Sequence, residues 1–217
     1  MSVTAALALH AARTPDRDAL VFEDQRIGWR SLNEEVDRLA AFITARAPDR
    51  SGIALHLPTG VALTVLFLAA ARAGQEAQVL DPDWPQDMTR AILAQLSPAL
   101  VVSSDPQLAG DRTVILSDPY MPLTQVAVAC GAPADPSPGS EPHELLPFYV
   151  GFTSGSTGMP KGYRRHHRSW TESFRHDGLE FGIGPDDIIL APGTLTHSLF
   201  LYALMHGLNI GACVILC

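Results

Sequence analysis

The sequence predicts an α/β fold: layered, largely parallel sheets flanked by helices. Apolar runs of strand length alternate with stretches of helical period along most of the 217 residues. A strand–helix–strand unit spans Ile53 to Leu80, which requires a parallel pair because the crossover is a helix. The composition, 47% hydrophobic and 18% charged, is that of a chain with a substantial core.

A first helix is expected from about Thr4 to Arg13, stopped at Thr14-Pro15, followed by a hairpin of Ala19 to Glu23 and Arg26 to Trp29 around Asp24-Gln25. Ser31 with Glu34 has capping-box spacing and is expected to open the next helix, whose apolar stripe is Leu32, Val36, Leu39, Ala40 and Ile43. Gly52 to Leu57 is the next strand. Thr59 is expected to cap the helix over Val61 to Ala71, which Gly74 ends, and Gln75 to Leu80 follows as a strand. A helix over Gln86 to Leu96 precedes strands at Ala99 to Ser103 and Arg112 to Leu116.

Between Ser117 and Glu144 prolines stand at 119, 122, 133, 136, 138 and 142, so this stretch is expected to be irregular. It divides a first α/β subdomain, 1–130, from a Pro-rich junction, 131–145, and a second subdomain beginning at 146–217. There the expected order is a strand at Leu146 to Phe152, a Ser/Thr/Gly loop, a strand at Tyr163 to His166 and a helix from His167 to Glu180. Strand Asp187 to Leu190, helix Thr196 to His206 and strand Ala212 to Cys217 complete it. The last strand reads as buried on both faces, an uncommon place for a chain to stop, so a truncated or separately folded fragment is expected.

The net charge of -8 argues against a nucleic-acid surface. Cys130, Cys213 and Cys217 lack metal-ligand spacing and read as reduced core thiols of a cytoplasmic protein. The N-terminus lacks signal-peptide order, and Val61 to Ala71 is about half the length of a membrane span.

The chemistry concentrates in Phe152-Thr-Ser-Gly-Ser-Thr-Gly-Met-Pro-Lys-Gly162. Gly155 and Gly158 permit positive φ and let backbone N–H groups face one side, where phosphate oxygens can be cradled. Thr153, Ser154, Ser156 and Thr157 add hydroxyl donors, and Lys161 adds a point cation. The loop is not the nucleotide-hydrolase pattern, because Gly162 rather than Ser or Thr follows the lysine.

At these residues the chain resembles the adenylate-forming superfamily of acyl-CoA synthetases, peptide-synthetase adenylation domains and luciferases, whose loop reads [YF]-T-S-G-[ST]-T-G-x-P-K-G. Every position matches. Arg26 to Asn33, Leu66 to Pro82 and Lys161 to Arg168 resemble further elements of that family in order, so the resemblance covers nearly the whole chain. Two departures stand out. His166 replaces the threonine expected to cap the following helix, and the family's P-x-F-H element becomes Pro192-Gly-Thr-Leu-Thr-His197, two residues longer.

The resemblance implies the N-terminal subdomains of the adenylate-forming fold and two half-reactions. A carboxylic acid attacks the α-phosphate of ATP, with Mg2+ as counter-charge, and a thiol, usually coenzyme A, then displaces AMP. Thr153, Ser154, Gly155, Ser156, Thr157, Gly158 and Lys161 are implied phosphate contacts. His197 is either near the carboxylate and thiol channel or an ordinary surface histidine, with Phe200 and Leu201 as candidate walls of an acyl pocket. Asp81 reads as structural, before Pro82. No metal ligand is implied within the chain. The family's adenine and magnesium segment, ribose aspartate and C-terminal lid are not found within it. The cluster Arg164 to Arg168 could be a nucleic-acid patch or a site for coenzyme A phosphates, but strand alternation splits its charge and favours a plain connection. A fatty or other hydrophobic acid is the expected substrate; a non-catalytic nucleotide- or acyl-binding subunit and a peptide-synthetase adenylation fragment are the alternatives.

Overall fold

Two sheets share one apolar core in the computed structural model, which describes residues 1–136, 139–153 and 158–217. Helix α1 (Ala5–Arg13) leads into a hairpin of β1 (Asp18–Phe22) and β2 (Gln25–Gly28), then α2 (Trp29–Arg46). β3 (Ile53–His56), α3 (Val61–Arg72) and β4 (Ala77–Leu80) form the expected parallel crossover. After α4 (Gln86–Leu96) come β5 (Leu100–Ser103), β6 (Thr113–Ile115) and α5 (Leu123–Cys130). β7 (Pro147–Thr153) and β8 (Lys161–His166) are an antiparallel pair, followed by α6 (His167–Phe181), β9 (Ile188–Ala191), α7 (Ser198–Ile210) and β10 (Cys213–Leu216).

The larger sheet has the order β6-β5-β3-β4-β7-β8 and is parallel except for β8. The smaller sheet, β2-β1-β10-β9, is parallel except for β2. Each therefore takes strands from both sides of 131–145, and sheet membership does not follow the chain-order division into subdomains at that segment.

Burial on both faces of the larger sheet explains its unbroken apolar strands. Ile53, Leu55, Val79, Leu100 and Val102 join the main core, while Ala54, Leu80 and Val101 meet Ile92 of α4 in a smaller cluster. Helix α3 is buried at every residue from Val61 to Ala71, as its uninterrupted apolar run demands. The stripe Leu32, Val36, Leu39, Ala40 and Ile43 of α2 is buried as expected.

Several local expectations are corrected. Helix α2 opens two residues before Ser31, because the Trp29 and Arg30 amides donate to the Arg17 and Pro15 carbonyls and need no side-chain cap. Thr59 does not cap α3; its hydroxyl is turned to the Leu195 amide. Helix α5 lies inside the stretch expected to be irregular, held by buried Leu123, Val126, Ala127 and Cys130. His166 does cap α6: its Nδ1 accepts from the Ser169 amide at 3.1 Å. In β10, Val214 and Leu216 are buried while Cys213 and Ile215 are partly exposed, so it is not buried on both faces, and of the three expected core thiols Cys130 is buried, Cys213 partly so and Cys217 exposed.

Candidate active site

β7 delivers Thr153 to its last position, paired across the hairpin with Lys161, the first residue of β8. The Thr153 hydroxyl donates to the Lys161 carbonyl at 3.5 Å, and both side chains are exposed. Behind them Phe152 pairs with Gly162, and a Cβ on Gly162 would sit 3.3 Å from the Phe152 ring. Gly158 has φ +83°, and among the described residues, its chain neighbours aside, no atom lies within 4 Å of where a side chain would begin. Only glycine takes that conformation without strain. The expected phosphate contacts Ser154, Gly155, Ser156 and Thr157 lie outside the described residues.

The hairpin end borders a cavity of about 160 Å³, lined by Thr153 and Pro160 on one side and Thr196 and His197 on the other. Asp81 and Trp84 lie between them, with Trp84 edge-on to Phe152 at 5.3 Å. Asp81 follows β4 directly, so the cavity opens at the carboxyl ends of parallel strands, where α/β sheets bind ligands. Asp81 Oδ1 accepts from the Asp83 amide at 3.0 Å, which agrees with its structural reading, yet it also borders a neighbouring cavity of about 380 Å³ with Thr59, Tyr120 and Thr196. Near that edge, His56 ends β3 with Nδ1 2.9 Å from Ser103 Oγ. Burial pushes its pKa below the ordinary value, against the opposing pull of Asp105 and Asp81.

His197 is the N-cap residue of α7 in backbone geometry only; its imidazole makes no capping bond and is exposed at the cavity. Its segment is anchored by Leu195, whose amide donates to Thr59 Oγ1 at 2.8 Å. The structure thus brings Thr153 and His197, 44 positions apart, to one cavity. Neither Phe200 nor Leu201 is among the described residues that line this cavity. Leu201 is in the core, and the Phe200 ring covers Gly193, where a Cβ would approach it to 2.1 Å. Trp84 and Thr196 were not singled out by sequence reasoning; an aromatic inside the Asp81 to Pro85 break was the available signal for the first.

The basic cluster after the loop is divided. Arg164 pairs with Glu76 at 3.0 Å, Arg168 with Glu144 at 3.7 Å, and Arg165 lies over the Tyr163 ring at 5.9 Å.

The exposed Lys161 ammonium, with a Thr153 hydroxyl that can donate outward once it releases the Lys161 carbonyl, suits an anion such as a polyphosphate. Among the described residues no group of three or more His, Cys, Asp or Glu is placed to hold a metal ion. Nor, among them, is any helix long and apolar enough to cross a membrane.

Comparisons with known proteins bear on this site. The family described as AMP-binding enzyme matches residues 7–217. The uncharacterized acyl-CoA ligase YhfT of Bacillus subtilis is 35% identical over 220 residues, covering all of this chain and 44% of that protein. A dimodular nonribosomal peptide synthase of the same organism is 31% identical over 196 residues, covering 87% of this chain and 8% of its own length. Among solved structures, the N-terminal subdomain of Klebsiella oxytoca NpsA, in complex with 3-hydroxybenzoyl-AMSN, superposes with TM-score 0.82 at 22% identity, over 100% of this chain and 53% of that one. The N-terminal domain of FACL13 from Mycobacterium tuberculosis gives 0.81 at 23%, over 100% and 57%. The chain therefore spans about half the length, or less, of the proteins it matches. These structures share its fold, and the family match runs without a break through the sheets and the hairpin loop to the strand beyond His197: the chain belongs to the AMP-binding enzymes of the adenylate-forming superfamily.

Proposed function

We propose that this chain supplies the phosphate-holding half of an ATP-dependent acid–thiol ligase of the acyl-CoA synthetase type. The observation that carries the reading is the Thr153–Lys161 rung, whose exposed hydroxyl and ammonium flank the glycine loop beside a cavity that His197, just ahead of α7, also lines. In this reading Thr153, Ser154, Gly155, Ser156, Thr157, Gly158 and Lys161 hold the β- and γ-phosphates of ATP. Lys161 and the loop amides stabilise the charge that gathers on the pyrophosphate as the acid's carboxylate attacks the α-phosphate. His197 stands where that carboxylate, and later the thiol, would approach. Coenzyme A is the proposed acceptor, with YhfT's name as support. Magnesium, the family's usual counter-charge, finds no ligand cluster among the described residues, and no step here is assigned to it. Residues beyond this stretch, of the kind the longer matched proteins carry, would complete the adenine and ribose sites. Three free cysteines support a reducing, cytoplasmic setting.

A second reading, a peptide-synthetase adenylation unit, is favoured by the relatives of that class at 31% and 32% identity. The two differ in acceptor: coenzyme A or a carrier protein.

Lys161→Ala in the full-length protein is expected to slow acyl-adenylate formation about 100-fold or more, while thioester formation from supplied adenylate changes little. Equal slowing of both steps removes Lys161 from the phosphate role. Comparing AMP release with coenzyme A and with a loaded carrier protein separates the two readings.

A further inference from the structure

Beyond the loop, strand β8 carries a second basic side chain on the face that holds Lys161. Alternation places Lys161, Tyr163 and Arg165 on one face, and the register sets Thr153, Gly151 and Tyr149 opposite them. At Gly151 the two tyrosine hydroxyls lie over the strand between these rungs: a Cβ there would lie 2.3 Å from the Tyr149 hydroxyl and 2.4 Å from that of Tyr163. Four residues of strand separate Lys161 from Arg165 by roughly 13 Å.

Arg165 borders its own cavity, of about 360 Å³, between β8, α6 and α7. Tyr163, Trp170 and Tyr202 give it aromatic walls, while Ser173 and Ser198 add hydroxyls. The two cavities follow one another along the chain: Thr196 and His197 line the one at the loop, Ser198 and Leu199 the one at Arg165. Charge decides what fits there. Arg164 and Arg168 are each neutralised by a glutamate, whereas among the described residues Arg165 has no carboxylate within ion-pair distance. Tyr202 is already committed, donating to Asp177 at 2.5 Å, which leaves the guanidinium as the free charged group at this end. An aliphatic tail seated here would desolvate an unpaired cation and serine hydroxyls, at a cost that its own burial would not offset.

We infer that the acid activated at this site carries a second negative group, and that Arg165 is the residue that selects it. The substrate class is a compact aromatic dicarboxylic acid, its flat body between the aromatic walls and its remote carboxylate on Arg165. This departs from the fatty or other hydrophobic acid expected from the sequence, and it rests on the ligase reading for the position of the reacting carboxylate.

The test is ATP–pyrophosphate exchange by the full-length protein with benzoate and with 1,4-benzenedicarboxylate, for the native sequence, Arg165→Gln and Arg165→Lys. Calorimetric titration of the diacid without ATP is run alongside. A ratio of kcat/KM favouring the diacid, falling about tenfold or more in Arg165→Gln through KM and partly restored in Arg165→Lys, is the expected result. An unchanged ratio overturns the inference and leaves the ligase reading standing. Absence of exchange with every acid, together with diacid binding that Arg165→Gln abolishes, sinks the ligase reading and keeps the anion site. A diacid that fails to bind the native protein overturns the inference whatever the exchange shows.

Discussion

The Thr59 hydroxyl accepts a hydrogen bond from the Leu195 amide at 2.8 Å, joining the turn before α3 to the segment that carries His197. Leu195 is fully buried, so its amide loses this partner if the acceptor is removed. Thr59→Val keeps the shape and deletes the acceptor. It is expected to lower unfolding stability by about 1 to 2 kcal/mol in urea titrations, and Thr59→Ser is expected to recover most of that. If Thr59→Val unfolds at the native midpoint, the bond does not hold this segment.

Glu35 is 2% exposed and divides its carboxylate between two partners. Oε1 accepts from the Ala127 amide at 2.7 Å, and Oε2 pairs with Arg38. The first contact ties α5 to α2. Glu35→Ala is expected to cost about 2 kcal/mol and to speed amide exchange in α5 selectively; uniform protection across α5 in the variant would contradict this role.

His167 is fully buried, stacked on Phe148 at 4.8 Å, and its Nδ1 accepts from the Val3 amide at 3.3 Å. Burial pushes its pKa down to about 4, helped by the nearby Met1 amino group and His166. The unfolded chain takes up a proton near the ordinary histidine value, about 6.5, while the folded chain refuses it until near 4. Stability from this group is therefore complete above 6.5 and is lost as the pH falls toward 4, by up to roughly 3 kcal/mol. His56 and His206 shift in the same direction, also through burial. Chemical denaturation from pH 7 to 4 is expected to show this slope, with His167→Phe flattening it. Equal slopes in the two proteins would remove His167 as its source.

Local patterns were read from the sequence where one chemical signal dominated. The run Val61 to Ala71 could only be a buried helix, and the stripe of α2 faces inward as its spacing requires. Failures occurred where a distant partner outcompeted a local signal. Ser31 and Glu34 have capping spacing, but the Pro15 and Arg17 carbonyls already satisfy the start of α2. Proline density hid α5, whose stability comes from burial and from Glu35, 92 positions away. The loop motif was legible because its glycines and lysine are consecutive. Arg165 was not singled out, because its distinction from Arg164 and Arg168 depends on Glu76 and Glu144, which sequence order does not bring near.

The pairing of β1 with β10 has a temporal consequence. Leu20 lies beside Val214, and Phe22 beside Leu216, so the first hairpin exposes one hydrogen-bonding edge until nearly two hundred further residues have been made. At ordinary rates of translation that is on the order of 10 to 40 seconds. During that interval nascent β1 and β2 offer an unmatched edge, the kind of exposure that invites pairing with another chain.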